Sequence, residues 1–98
     1  MFVGILALQR RCTYNGHEIR VQKTSFIHRM QYGLSIDGVK QDQVDALAGT
    51  FSLHGVIHEG ESSIPVEIII RQGFFTGCYF CRINGTTTKM DRYVYEDF

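Results

Sequence analysis

The sequence predicts an all-β fold: a single antiparallel β-sandwich or flattened barrel of about seven short strands. Apolar and polar residues alternate with period two through most of the chain, which is typical of strands with one buried face. Pairs of residues that tolerate positive φ separate these stretches, at Asn15-Gly16, Asp37-Gly38 and Asn84-Gly85. Such short turns connect antiparallel neighbours, because parallel strands need much longer crossovers.

The first half of the chain contains three predicted strands and one short segment with helical spacing. Residues 6–14 and 19–22 alternate on either side of the first turn pair and form a predicted hairpin. Residues 32–36 alternate again up to the second turn pair. Residues 43–48 have apolar side chains three apart, and we expect one helical turn there at most, because six residues are too few for a stable helix.

The second half contains the most apolar strands. Residues 51–58 alternate, residues 64–70 form the most apolar stretch, and residues 78–83 run up to the third turn pair. Residues 86–88 and 93–95 are rich in threonine, tyrosine and valine, and they predict one or two more strands.

Two stretches share a pattern that indicates a possible duplicated hairpin. Residues 19–38 and 68–85 both have alternating aliphatic residues, a Phe, a gap, and then Tyr-x-[Leu/Cys]-x-Ile-[Asp/Asn]-Gly. The overlay pairs Ile19 with Ile68 and makes the second copy two residues shorter in the middle. A duplication predicts two similar hairpins packed face to face with pseudo-two-fold symmetry. The alternative is that any two β-hairpins must alternate and end in such turns.

Three motifs carry a resemblance to a group of small uncharacterised bacterial proteins. They are N-G-H-E-I-R-V at 15–21, L-S-I-D-G-V-K-Q-D at 34–42 and C-R-I-N-G at 81–85. The group reads approximately N-G-H-x-I-x-V, L-Y-V-D-G-x-x-Q-D and C-x-x-x-V-D-G. This chain departs from it at Gly33, which precedes Leu34, and at Ser35, where the group has Tyr. The resemblance implies a shared β-rich fold and no particular activity.

Composition excludes several kinds of partner. The 98-residue chain is 44% apolar, and its ten basic and ten acidic residues give no net charge. We expect one β domain over residues 1–98, since a second domain would leave neither half enough residues for a core. No apolar run approaches the ~20 residues of a bilayer-spanning helix, so we expect no membrane partner. We expect no nucleic acid partner either, because binding to phosphates needs a basic field.

The terminus and the cysteines predict a cytoplasmic protein. Residues 1–8 are largely apolar, but Arg10-Arg11 follow them, which reverses the charge order of a secretion signal. The three cysteines are an odd number and imply no closed disulfide framework. Free thiols in a reducing compartment are the simplest interpretation.

The same cysteines form the one candidate metal site. Cys12, Cys78 and Cys81 could bind zinc with one histidine, His17, His54 or His58. On a strand, however, residues three apart point to opposite faces and lie roughly 10 Å apart. We therefore expect no bound metal, and a metal-binding or redox-sensing domain using the three cysteines is the alternative function.

Catalytic patterns are absent from the sequence. It contains no Gly-x-Ser-x-Gly nucleophile elbow and no glycine-rich phosphate loop, and its serines are scattered. We therefore expect that the protein is not an enzyme and has no catalytic residue and no cofactor.

Residues 64–83 contain more apolar side chains than one buried face requires. A strand with one wet face should alternate, whereas this stretch has apolar residues on both parities. The alternative is a central strand whose second face is covered by the N-terminal segment and residues 93–95. We favour an interface and expect a non-catalytic protein-interaction module, a small adaptor, inhibitor or immunity-type protein, that forms a homodimer. The predicted interface residues are Ile69, Phe74, Phe75, Tyr79 and Phe80.

Overall fold

A computed structural model describes residues 6–26, 29–73 and 77–93 of the chain. These residues form nine strands in two antiparallel sheets that pack face to face, so the predicted all-β sandwich is confirmed, with more strands than the seven or so expected. The strands are β1 Leu6–Tyr14, β2 His17–Ser25, β3 Met30–Ile36, β4 Val39–Asp45, β5 Gly49–Glu59, β6 Ser62–Gln72, β7 Gly77–Ile83, β8 Thr86–Lys89 and β9 Asp91–Tyr93.

Each sheet is built on a four-stranded meander. The first sheet has the order β4-β3-β2-β1-β9 and the second has the order β5-β6-β7-β8. Strand β9 leaves the second sheet after β8 and pairs with β1 of the first, so the chain crosses between the sheets at Met90. No transmembrane helix is present in the part of the chain that the structure describes.

The three predicted turn pairs all form, and positive φ explains their composition. The Asn and Asp residues have φ between 49° and 51°, and the glycines that follow have φ between 77° and 82°. Two successive residues with positive φ make the tight turn whose twist matches that of the flanking strands. These turns are Asn15-Gly16 after β1, Asp37-Gly38 after β3 and Asn84-Gly85 after β7.

The core consists of the inward-facing residues of five strands, β2, β3, β5, β6 and β7, together with Met90. The rings of buried Tyr32 and of Phe51 form a T-shaped pair across the two sheets, with centroids 4.7 Å apart. The alternation seen in the sequence therefore corresponds to burial on one face of each sheet. The buried apolar residues are Ile19, Val21, Tyr32, Leu34, Ile36, Leu53, Ile57, Val66, Ile68, Ile70, Tyr79, Cys81, Ile83 and Met90.

The predicted helical turn at 43–48 is wrong. Residues 43–45 belong to β4, and residues 46–48 connect β4 to β5. Strand β4 lies at the edge of the first sheet and is mostly polar and exposed, so it has little of the apolar alternation that identifies a strand. The three-residue spacing of Val44 and Leu47 is coincidental, since Val44 packs against the core whereas Leu47 is 64% exposed.

The two meanders occupy equivalent places, as the duplicated pattern predicts, but with a different alignment. Ile19 lies opposite Ile36 in the first sheet, and Val66 lies opposite Ile83 in the second. One offset of 47 residues therefore relates β2 and β3 to β6 and β7. Ile19 corresponds to Val66 and not to Ile68, and the two-residue gap in the overlay is not needed. An ancestral duplication stays a prediction.

Strand β4 contains a β-bulge that β8 lacks, so the side of the sandwich between β4 and β5 differs from the side between β1 and β8. Leu34 pairs with Asp42 but Ser35 pairs with Lys40, which leaves Gln41 as the extra residue. Strand β8 pairs with β7 in an unbroken register. A bulge increases local twist and redirects the strand, and here Gln41 and Asp42 both reach the neighbouring edge strand β5.

Candidate functional site

The five predicted interface residues do not lie on one surface. Phe74 and Phe75 lie outside the described residues. Tyr79 is 4% exposed and belongs to the core, so its assignment to an interface is wrong. It lies opposite Ile70 on the neighbouring strand, so both side chains are on the same face of the sheet. Ile70 is buried, and this face is therefore the one between the two sheets.

Ile69 and Phe80 lie side by side on the outer face of the second sheet. They are directly opposite each other in the pairing of β6 with β7, and both are half-buried. The guanidinium of Arg71 lies over the Phe80 ring, 5.9 Å from its centroid. These three side chains form an apolar centre with a cation at one side, which we call the outer patch.

A row of charged side chains crosses the sheet on the other side of the outer patch. Glu67 lies between His54 and Arg82 in the strand register. Its carboxylate is 3.1 Å from Arg82 Nη1 and 3.7 Å from His54 Nε2. Arg82 is half exposed, so its ion pair with Glu67 contributes little stability, about 1 kcal/mol at most. His54 is more exposed still, and it forms an ion pair with Glu67 only when it is protonated.

A shallow depression of about 560 Å³ extends from this charged row toward the turn after β7. Val56 and Pro65, neighbours in the strand register, contribute its apolar wall. The outer face of the second sheet therefore offers apolar, acidic and basic groups together with a concave area.

Fewer apolar side chains of residues 64–83 lie on the outer face of the second sheet than the sequence predicts. Most apolar residues of β6 point inward, and Glu67 and Arg71 interrupt its outer face. The alternative explanation, in which residues 93–95 cover the second face, does not fit the described part of that segment, because β9 pairs with β1 in the first sheet. Residues 94 and 95 lie outside the described residues.

The three cysteines do not form one site. Cys78 is exposed and Cys81 is buried, on opposite faces of β7 as their spacing predicts. Cys12 of β1 and Cys81 line the same cavity, and the proximity of Cys12 raises the pKa of the Cys81 thiol. Within residues 6–26, 29–73 and 77–93, no group of three or more His, Cys, Asp and Glu side chains is arranged to hold a metal ion.

One end of the sandwich contains a charged cluster that was not predicted from the sequence. His17 Nδ1 lies 2.6 Å from Asp37 Oδ2, and His17 Nε2 lies 3.0 Å from Glu59 Oε2. The other oxygen of Asp37 accepts a hydrogen bond from the backbone N–H of Glu18. The cluster joins the ends of β2, β3 and β5, and its only signal in the sequence is that Asp37 belongs to one turn pair and His17 directly follows another.

The electrostatics of the cluster favour a protonated histidine. The hydrogen bond to Asp37 is the largest influence and raises the pKa of His17, and Glu59 adds to it. The hydrogen bond from His17 lowers the pKa of Asp37 in turn. With a carboxylate at each ring nitrogen, His17 has no free lone pair for a metal or for a substrate proton. His17 therefore links the ends of neighbouring strands through its contacts with Asp37 and Glu59.

Comparisons with protein-family models, with curated proteins and with solved structures find no match for this chain. The resemblance to small bacterial proteins stays a prediction.

Proposed function

We propose that the protein is a non-catalytic protein-interaction module that self-associates through the outer face of its second sheet. The observation that carries the proposal is the arrangement of the outer patch. Ile69 and Phe80 form an apolar centre, Glu67 lies two residues along β6 on one side, and Arg71 lies two residues along on the other. Adaptor, inhibitor and immunity roles are all compatible with such a module.

This arrangement is self-complementary. When two copies pack face to face about a two-fold axis along the row from Ile69 to Phe80, positions along the strands are inverted between the copies. Glu67 of one copy then faces Arg71 of the other, and the reverse pair forms as well. The apolar centres meet in the middle, so the charges act as a register for the pair.

The size of the face supports a weak, reversible dimer. The strands of the second sheet have 11, 11, 7 and 4 residues. At about 3.3 Å per residue and about 4.8 Å between strands, the face covers about 500 Å². Two such faces bury about 1,000 Å², which is at the low end for specific interfaces. We therefore expect dissociation in the micromolar range.

A charge exchange tests the proposal. Glu67→Arg places two arginines opposite each other, and Arg71→Glu places two glutamates opposite each other, so each single variant should be monomeric in sedimentation equilibrium at high micromolar concentration. The double variant should dimerise again. The ion pair of Glu67 with Arg82 is lost in the double variant too, so recovery can come only from the contact between copies.

Val39→Lys provides the matched control, because Val39 is 62% exposed on the first sheet. It should leave the association unchanged. A wild-type chain that stays monomeric at high micromolar concentration would overturn the proposal, and so would a double variant that behaves as the single variants do.

A further inference from the structure

Cys12 and Cys81 bring two thiols together from different sheets. Cys12 lies on β1 and is half-buried, whereas Cys81 lies on β7 and is 2% exposed. The proximity of Cys12 raises the pKa of the Cys81 thiol. Both line a cavity of about 230 Å³, together with Tyr14 and Thr88.

The equivalent position in the other meander shows how closely the sheets approach. Cys12 lies opposite Ile19, and Gly55 lies opposite the equivalent Val66, so Gly55 is the counterpart of Cys12. A Cβ atom placed on Gly55 would lie 3.1 Å from a terminal carbon of Leu34, the counterpart of Cys81. A side chain at position 55 would require its neighbours to shift by a few tenths of an ångström, whereas on the other side two short cysteine side chains line a cavity between the strands. Disulfides that span two packed sheets are known in other β-sandwiches, so a bridge of this kind is compatible with the architecture.

The side of the sandwich between β1 and β8, which holds the two thiols, differs from the side between β4 and β5. Between β4 and β5, Asp42 Oδ2 accepts a hydrogen bond from the His54 N–H at 2.9 Å and Gln41 accepts one from Val56. Between β1 and β8, the counterpart of Asp42 is Thr88, which lies opposite Cys81 as Asp42 lies opposite Leu34.

The bulge residue Gln41 has no counterpart there, because the pairing of β8 is unbroken. Strand β9 covers β1 only at 9–11. A groove of about 480 Å³ lies between β1 and β8, and Cys12 lines it together with Thr13, Thr88 and Lys89. Of the two cysteines, Cys12 is the one that lines this groove, which is wide enough to admit a molecule of the size of hydrogen peroxide.

We propose that Cys12 and Cys81 form a redox-active dithiol that a peroxide converts into a disulfide between the two sheets. The Cys12 thiolate attacks one peroxide oxygen, the O–O bond breaks, and hydroxide leaves, so that Cys12 becomes a sulfenic acid. The Cys81 sulfur then attacks the Cys12 sulfur. The S–S bond forms, the S–O bond breaks, and the leaving hydroxide takes the Cys81 proton as water. In total two thiols give two electrons to one peroxide, and two water molecules result.

The environment assigns the two roles. The hydrogen bond to Cys12, together with burial, raises the pKa of the Cys81 thiol. Cys81 therefore keeps its proton, whereas Cys12 is the cysteine that lines the groove. Cys12 reacts with the peroxide and Cys81 resolves the sulfenic acid.

Thiol counting in peroxide-treated protein tests the proposal, with Cys78→Ser as the matched background. Cys78 is exposed on the opposite face of β7, so its removal should not affect the reaction. After treatment with hydrogen peroxide, the Cys78→Ser chain should contain no alkylatable thiol when denatured, its mass should be lower by two hydrogens, and a peptide map should join Cys12 to Cys81. In that background Cys81→Ser should stop at a sulfenic acid that dimedone traps, and Cys12→Ser should stay reduced.

A second measurement does not depend on these cysteine replacements. The disulfide closes a long loop, so oxidation of the Cys78→Ser chain should raise its Tm by about 10 °C or more relative to the same sample with a reductant. The proposal is overturned if the Cys78→Ser chain retains two alkylatable thiols after peroxide, or if the recovered disulfide joins two copies of the chain. Equal Tm values for the oxidised and reduced samples would overturn it as well.

Discussion

Replacing Asp42 by alanine should open the side of the sandwich between β4 and β5. The carboxylate of Asp42 is half-buried at the edge of the first sheet, and its Oδ2 accepts the backbone N–H of His54 on the edge of the second sheet at 2.9 Å. Its Oδ1 accepts the N–H of the adjacent Gln43 at 2.8 Å. The first of these hydrogen bonds joins the two sheets, and Asp42→Ala removes it and leaves a strand-edge N–H without an acceptor.

The expected loss is about 2 kcal/mol in the free energy of unfolding. A hydrogen bond to a charged group contributes about 1.5–3 kcal/mol, and partial exposure of Asp42 places the value in the lower half of that range. The bond to Gln43 is local and contributes less, because the neighbouring N–H can turn to water. For a domain of this size, about 2 kcal/mol corresponds to a decrease in Tm of about 10 °C.

Equilibrium unfolding in urea measures the effect, with Asp45→Ala as the control. Asp45 is an exposed aspartate on the same strand, so its replacement removes the same charge and should cost less than about 0.5 kcal/mol. Asp42→Asn keeps a carbonyl oxygen as acceptor and should lie between the two. Equal losses for Asp42→Ala and Asp45→Ala would refute the reasoning, because the effect would then follow from net charge and not from the bond to β5.

Two further predictions concern the end cluster and the core. The pKa of His17 is raised, so its contribution to stability is complete below the unfolded pKa of about 6.5 and is lost as pH rises through the folded pKa. The pKa of Asp37 is lowered, so its contribution to stability is lost as pH falls below about 4. Urea midpoints should therefore be highest in weakly acidic solution. His17→Gln should flatten the decline on the alkaline side, whereas His54→Gln, at an exposed site, should not. Identical pH profiles for the wild type and both variants would contradict this. Leu34 is fully buried between the sheets, so Leu34→Ala should cost about 2–5 kcal/mol in urea unfolding, against less than about 0.5 kcal/mol for the exposed Val39→Ala. A loss below 1 kcal/mol at Leu34 would mean that the core is not packed as described.

The sequence could predict those parts of the fold that depend on neighbours along the chain. Alternation places Leu34 and Ile68 inward because a strand has only two faces, and both are fully buried. The turn pairs follow from the same local reasoning, since few residues other than glycine and Asx tolerate the required φ. Edge strand β4 has no such signal, because its residues face water on most sides and need no apolar pattern.

Contacts between the two sheets could not be predicted. Tyr79 and Phe80 are adjacent aromatic residues, and only the pairing of β7 with β6 shows which of them faces the core. Cys12 and Cys81 lie on different meanders, and their contact depends on how one sheet is placed over the other. His17 and Glu59 likewise meet only because three strand ends come together at one end of the sandwich.

The crossing of β9 from one sheet to the other has a consequence for the order of folding. Every pairing within the second sheet joins strands adjacent in sequence, whereas β1 and β9 pair residues as distant as Arg10 and Arg92. Closing so long a loop costs more conformational entropy than forming a hairpin, and contacts of high sequence separation form slowly. We expect both meanders to form first and the pairing of β1 with β9 to complete the sandwich. The same pairing should be the first to open under strain, so proteolysis of the native state would start at that edge.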